Sequence, residues 1–162
     1  MVVLLTALYF YNHLKQKTMA SINPYLTFNG NCEEAFTFYK SVFGGEFPYI
    51  GRFKDMPPMG DKPMPESDGE KIMHVSLPVS SETILMGSDC VAGYGPPFAA
   101  GNNFSISINT DSEEEADKLF NALSAGGNIG MALNKTFWGA YFGMLTDKFG
   151  IAWMVNYDYN KK

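Results

Sequence analysis

Two stretches of this chain are versions of one another, and that repetition limits the fold more than any other feature. Asn31-Cys32-Glu33-Glu34-Ala35-Phe36-Thr37-Phe38-Tyr39 recurs in chemical type as Ser112-Glu113-Glu114-Glu115-Ala116-Asp117-Lys118-Leu119-Phe120. The separation of 81 residues that takes Ala35 to Ala116 also takes Val42 to Leu123 and Gly45 to Gly126. It lays the alternating Tyr25-Leu26-Thr27-Phe28 against Ile106-Ser107-Ile108-Asn109. A fixed period over so many positions marks one supersecondary unit used twice. The seam between two such units is a natural place for a cleft.

Within the first unit, Ile22 to Phe28 alternates as a strand does, with Pro24 confined to its start or to an edge. Asn31 is placed to cap a helix, with Glu34 as its capping-box partner. Cys32, Ala35/Phe36, Tyr39 and Val42/Phe43 then recur at helical period until Gly44-Gly45. Phe47 to Phe53 reads as a second strand. Lys54 to Glu70, with four prolines and two glycines, reads as a loop. Lys71–Val79 and Glu82–Ser88 read as a hairpin turning at Pro78-Val79-Ser80-Ser81. After a Gly/Pro linker the plan repeats: strand 103–109, helix 112–124, a strand around 129–133, and a hairpin of 141–145 and 151–157 turning at Asp147-Lys148-Phe149-Gly150. Each half is β-α-β-β-β. Neither buries its helix and sheet faces alone, so the two are expected to pack into one curved sheet.

Size and charge narrow the function classes. A chain of 162 residues suits one domain with a real core. With 46% hydrophobic and 18% charged residues it is a folded rather than a disordered chain. A net charge of −5 without a cluster of Lys and Arg argues against nucleic acid. Cys32 and Cys90 have no metal-ligand spacing and make no disulfide framework, which fits reduced thiols in a cytoplasmic protein.

Residues 1–18 are set apart as an N-terminal extension. Their apolar run, Val2 to Tyr11, is short against the roughly 20 residues a bilayer span requires. It lacks the preceding positive charge and following cleavage site of a signal peptide. Met19-Ala20-Ser21-Ile22 reads as the natural start, a membrane tether being the other reading. The expected organisation is a single domain over 19–162, made of module 20–90 and module 103–158 joined by linker 91–102.

A βαβββ unit used twice, with a D-x-x-G turn before the last strand, resembles the vicinal oxygen chelate superfamily of glyoxalases, bleomycin resistance proteins and extradiol dioxygenases. Ile22-Asn23-Pro24-Tyr25-Leu26-Thr27-Phe28, Cys32-Glu33-Glu34-Ala35, Phe38-Tyr39 and Phe43-Gly44-Gly45 resemble its PhnB-like branch. So do Ile72-Met73-His74-Val75-Ser76-Leu77, Leu85-Met86-Gly87-Ser88-Asp89, Trp138-Gly139, Phe142-Gly143 and Asp147-Lys148-Phe149-Gly150-Ile151-Ala152-Trp153. The resemblance covers residues 20–158. It implies an α+β fold in which two βαβββ modules form a cupped, mostly antiparallel sheet, and it implies a homodimer.

It also implies where a metal would sit: on His, Gln or Glu from the first and last strands of each unit. Here the last strands align at a separation of 68, which pairs Met86 with Met154. The first strands offer Asn23 to Tyr25 and Phe104 to Ile106, none of them histidine or carboxylate. Thioether sulfur is soft and uncharged and does not hold a hard divalent ion. No metal and no cofactor are therefore expected. The branch also carries the label demethylubiquinone methyltransferase, but this chain lacks a glycine-rich strand-turn-helix for a methyl-donor nucleotide.

The remaining chemistry is sparse. His74, the one histidine outside the extension, has a pKa range suited to proton transfer, though no partner base or nucleophile is visible. It is expected to share a strand face with Ile72 and Ser76, opposite Met73, Val75 and Leu77. Cys90 has no cation nearby in sequence to activate it. Phe98, Trp138, Tyr141 and Phe142 sit near the seam, and Met56, Met59 and Met64 in the Pro-rich loop could cover an apolar ligand. Arg52, the only arginine, orients an anion if it points into the cleft. The expected ligand-binding residues are Arg52, His74, Met86, Phe98, Trp138, Tyr141 and Met154, with His74 the one catalytic candidate. The function expected is metal-free binding of a small apolar or aromatic molecule, with no nucleic-acid or membrane partner. The alternatives are a lyase- or oxygenase-type enzyme using the same cleft and a non-catalytic interaction module.

Overall fold

The helical stripe of Cys32, Ala35, Phe36 and Tyr39 becomes the inner face of α1 (Cys32–Phe43), where all four side chains are fully buried. The computed structural model describes residues 21–57, 64–93 and 95–161; the extension 1–18 and Met59 lie outside the described residues. Strands β1 (Tyr25–Phe28), β2 (Tyr49–Arg52), β3 (Ile72–Pro78) and β4 (Ile84–Asp89) form a sheet in the order β1-β4-β3-β2. Strands β5 (Ile106–Asn109), β6 (Asn128–Lys135), β7 (Ala140–Thr146) and β8 (Ala152–Asp158) repeat that order as β5-β8-β7-β6. In each sheet the first strand runs parallel to the last, and the other pairs are antiparallel. The two sheets are not one continuous ladder. β1 and β5 share no pairing, and a groove separates residues 22–26 from 104–107.

The segment 54–70, read as loop, contains a 3-10 turn at Phe53–Asp55 and a single helical turn, α2 (Glu66–Gly69). α3 (Glu113–Ser124) lies 81 residues after α1, as the repeat requires. The opening strands depart from that spacing. Tyr25 pairs with Met86 whereas Ser107 pairs with Met154, so Tyr25 corresponds to Ser107, 82 residues on, and not to Ile106. A slip of one residue exchanges the two faces of a strand. Leu26 and Phe28 therefore turn inward from β1, and Ile106 and Ile108 from β5.

The caps differ between the modules. α3 is capped locally: Ser112 Oγ accepts from the Glu115 N–H (3.1 Å), and the Glu115 carboxylate accepts from the Asp111 N–H (2.9 Å). The cap expected from Asn31 is absent. Its place is taken by Asp89, at the end of β4, whose Oδ1 accepts from the N–H groups of Gly30 (2.9 Å) and Cys32 (3.0 Å). Asp89 Oδ2 accepts from the Ile72 N–H (2.9 Å), so one carboxylate joins α1 to the start of β3.

A second buried carboxylate joins the modules. Asp147, in the β7–β8 turn, accepts from the Tyr39 hydroxyl and the Trp153 indole N–H through Oδ2, both at 2.8 Å. Its Oδ1 accepts from the N–H groups of Phe149 (2.8 Å) and Ile151 (3.0 Å). Around it Tyr39 and Phe43 pack on Trp153, and Phe38 on Phe149, with ring centroids 5.6–5.8 Å apart. One apolar core thus draws on both sheets and both long helices.

Burial pushes both the Cys32 thiol and the Tyr39 phenol up, and neighbouring carboxylates (Asp89 and Glu33 for Cys32, Asp147 for Tyr39) add to it. In the unfolded chain these groups ionise at their ordinary values of 9.0 and 10.0. The stability gained by keeping them neutral is full below those values and is lost as pH rises through and beyond them. The urea midpoint is expected to stay level from about pH 7 to 8.5 and to fall from about pH 9, with Cys32→Ala delaying the onset toward pH 10. A midpoint unchanged up to about pH 11 contradicts this.

Candidate ligand-binding site

The helices cover one face of each sheet and leave the other open. On the first sheet, inward Leu26, Phe28, Leu85, Val75 and Leu77 are buried, and the alternate residues Tyr25, Thr27, Met86, Ser88, His74 and Ser76 point the other way. Register aligns Tyr25, Met86 and Ser76 in one row across β1, β4 and β3, and Thr27 with Ser88 in the next. His74 is held between two aromatic rings. Tyr25 stacks on it at 5.7 Å with its hydroxyl 3.3 Å from Nδ1, and Tyr49 lies at 5.8 Å.

β3 does not alternate cleanly. Its pairing with β2 slips between Gly51 and Arg52, which puts Ile72 in the core and Met73 on the open side. His74 therefore shares its face with Met73 and Ser76 rather than with Ile72. Above this end of the sheet the linker folds back, and a cavity of about 680 Å³ forms against it. Tyr25, Thr27, Met73 and Ser88 line it from the strands, Met56 from the segment after β2, and Phe98 from the linker. Among the described residues Asp89 is its only ionisable acid or base besides Cys90 and Tyr25, and both Asp89 oxygens are bonded to backbone N–H groups. Cys90 Sγ lies 3.9 Å from the Pro96 carbonyl oxygen.

The expected site residues divide four ways. Phe98 lines the cavity, and His74 and Met86 lie on the same open face beside Tyr25. Met154 and Trp138 belong to the second sheet. Met154 pairs with Ser107 and Met144, and Trp138 packs edge-on to Phe142 at 6.0 Å. No residue of β5–β8 lines the first cavity. Tyr141 points the wrong way for the open face: its hydroxyl donates to Asp117 of α3 at 2.9 Å, and that bond holds the phenol above its ordinary pKa. Phe142, next along the strand, takes the open side instead. Arg52 is committed elsewhere. Its Nη2 donates to both oxygens of Glu33 (2.7 and 2.9 Å) and its Nη1 to the Glu70 carbonyl (2.6 Å), so it ties β2 to α1. Thr27, Ser88 and Met73 were missed in the sequence; only the register of β1 on β4 and the irregularity in β3 reveal them.

A hard divalent ion does not fit this arrangement. The rows where the first and last strands would supply ligands hold Tyr25 and Met86 in one sheet and Ser107 and Met154 in the other. Among the described residues no three His, Cys, Asp or Glu side chains converge.

The family model for 3-demethylubiquinone-9 3-methyltransferase matches residues 20–156. The chain belongs to that family. Protein PA1353 from Pseudomonas aeruginosa is similar to it at 45% identity, covering 86% of this chain and 98% of that one, with a TM-score of 0.74. A putative 3-demethylubiquinone-9 3-methyltransferase, PhnB protein, from Bacillus cereus is 27% identical over 85% and 99% of the two chains, with a TM-score of 0.66. Protein YjdN of Escherichia coli (strain K12) is 32% identical over 83% of this chain and 93% of its own length. The fold is that of a glyoxalase/bleomycin resistance protein/dioxygenase family enzyme from Burkholderia phytofirmans PsJN, at 17% identity over 83% and 95% of the chains and a TM-score of 0.54. This PhnB-like member has, among its described residues, no helix long and apolar enough to cross a membrane.

Proposed function

We propose that the chain is a small-molecule binding protein that holds an apolar or aromatic ligand, without a metal, in the cavity between the first sheet and the linker. The observation that carries this reading is the lining: Tyr25, Met56, Met73 and Phe98 offer apolar and aromatic surface, and the one carboxylate among the described lining residues is already spent on backbone donors. Methyl transfer is less well supported. The strand-to-helix turn from Phe28 to Cys32 has two N–H groups bonded to Asp89 and carries a single glycine. A cytoplasmic location and a homodimer, the latter implied by the resemblance, belong to the same reading. Sedimentation at micromolar concentration tests the dimer.

The test is a fluorescence titration with the neutral probe N-phenyl-1-naphthylamine, in protein assayed for metals and then treated with chelator. Saturable binding that survives the chelator and weakens about tenfold in Phe98→Ala is expected. Stoichiometric metal with turnover, or no saturable binding, overturns the reading. The contact between His74 and Tyr25 favours a second one, a lyase-type enzyme with His74 as base. A turnover abolished by His74→Ala, with probe binding intact, would move the assignment there.

A further inference from the structure

We propose that the cavity selects uncharged ligands carrying one polar edge, and that the paired hydroxyls of Thr27 and Ser88 read that edge. The proposal rests on the cavity being a ligand site. Thr27 and Ser88 are register partners in the parallel pairing of β1 with β4, and both line the cavity. Neither hydroxyl has a hydrogen-bond partner among the described residues. The hydroxyls of Thr37, Ser41, Thr110, Ser124 and Thr136 bond to backbone carbonyls, whereas these two, like Ser76 and Ser107 on the open faces of the sheets, are left with free hydrogen-bonding capacity.

The repeat supplies an internal control. The positions of the second sheet that correspond to Thr27 and Ser88 are Asn109 and Asn156, partners in the pairing of β5 with β8. There the two side chains close on each other, Asn156 Nδ2 donating to Asn109 Oδ1 at 3.1 Å. The same pair of positions is thus satisfied internally in one module and left open in the other; both members of the open pair line one cavity, whereas of the closed pair only Asn109 borders one.

Charge sets the rest of the preference. Among the described residues no Lys, Arg or His lines the cavity, and the Asp89 oxygens accept three backbone N–H bonds. An ionised ligand would surrender hydration with no counter-charge to replace it. A carbonyl, carboxamide or hydroxyl recovers its hydrogen bonds, because each hydroxyl of the pair both donates and accepts. The body of the ligand then lies against Tyr25, Met73 and Phe98.

The test is displacement of N-phenyl-1-naphthylamine from the full chain at neutral pH by four naphthalenes that differ in one substituent. 2-Naphthamide is expected to bind at least about tenfold more tightly than 2-naphthoate or 2-naphthylmethylammonium. Thr27→Val with Ser88→Ala is expected to weaken 2-naphthamide about tenfold while leaving 2-ethylnaphthalene within about twofold. The single variants serve if the double variant does not fold. Naphthoate or the ammonium binding as well as the amide, or variants that weaken amide and hydrocarbon alike, would overturn the selection rule and leave the site standing. Failure of the probe to bind the unaltered chain would overturn the site and the rule together.

Discussion

Replacing Asp147 by alanine is expected to lower folding stability by about 4 kcal/mol, read as a fall of about 2 M in the urea midpoint. Four donors converge on this carboxylate: the Tyr39 hydroxyl, the Trp153 indole N–H, and the N–H groups of Phe149 and Ile151. Tyr39 and Trp153 are buried, so their polar groups cannot turn to solvent without dismantling the aromatic cluster around them. A buried donor stripped of its acceptor costs about 1–3 kcal/mol. The sum for four is reduced by the desolvation that the carboxylate no longer suffers and by water entering the space it vacates. Asp147→Asn keeps the volume and one acceptor but turns an NH2 toward two donors, and about 2 kcal/mol is the expected loss. Because Tyr39 belongs to the first module and Trp153 to the second, the alanine variant should also lose near-ultraviolet dichroism from the tryptophan. A loss below about 1 kcal/mol would mean that the carboxylate's own burial cancels what its hydrogen bonds contribute.

The place of Asp147 in the fold was half legible. Asp147-Lys148-Phe149-Gly150 read as a turn because Gly150 follows at the position that takes a positive φ, here 87°. Nothing local announces that the same side chain reaches Tyr39, 108 positions earlier. The pattern holds elsewhere. Helical spacing identifies the buried face of α1 because each turn of a helix samples the same environment. The Asn31 cap is not formed, and the N–H groups of Gly30 and Cys32 at the helix start go instead to one oxygen of Asp89, which arrives from β4, 57 positions beyond Cys32. Whether Arg52 points into the cleft is not legible locally, because Glu33 and Glu70, which hold it, are 19 and 18 positions away.

Strand faces were read less well than strand positions. β7 is where the hairpin pattern puts it, yet Tyr141 and Phe142 exchange roles, and β5 slips by one residue against the helix repeat. Both differences follow from a period of two, in which one residue is the whole difference between the core face and the open face. The cavity was hidden for another reason. Residues 91–102 read only as a linker, and a wall made by a chain folding back on a sheet leaves no periodicity to find.

Asp89→Ala is expected to cost about 3 kcal/mol, and its signature should be local as well as global. The carboxylate is the acceptor for Gly30, Cys32 and Ile72 at once, so its loss uncaps α1 and loosens the first residue of β3 together. A negative charge at a helix N-terminus also favours the dipole, by roughly 0.3–1 kcal/mol. Hydrogen exchange should accelerate first in the opening turn of α1 and at Ile72, before the rest of the core responds. Asp89→Asn retains the oxygen that serves Gly30 and Cys32 but sets an NH2 against the Ile72 N–H, so exchange should rise at Ile72 while the helix start stays protected. That split separates a specific three-way acceptor from a merely well-packed side chain; equal exchange at both places in the asparagine variant would refute it. Both buried carboxylates hold α1, Asp89 at its first turn and Asp147 through Tyr39, so the double alanine variant should lose less than the sum of the two. Strict additivity would show that the helix start and the module junction answer to separate restraints, and α1 would no longer be the element through which the two halves stabilise each other.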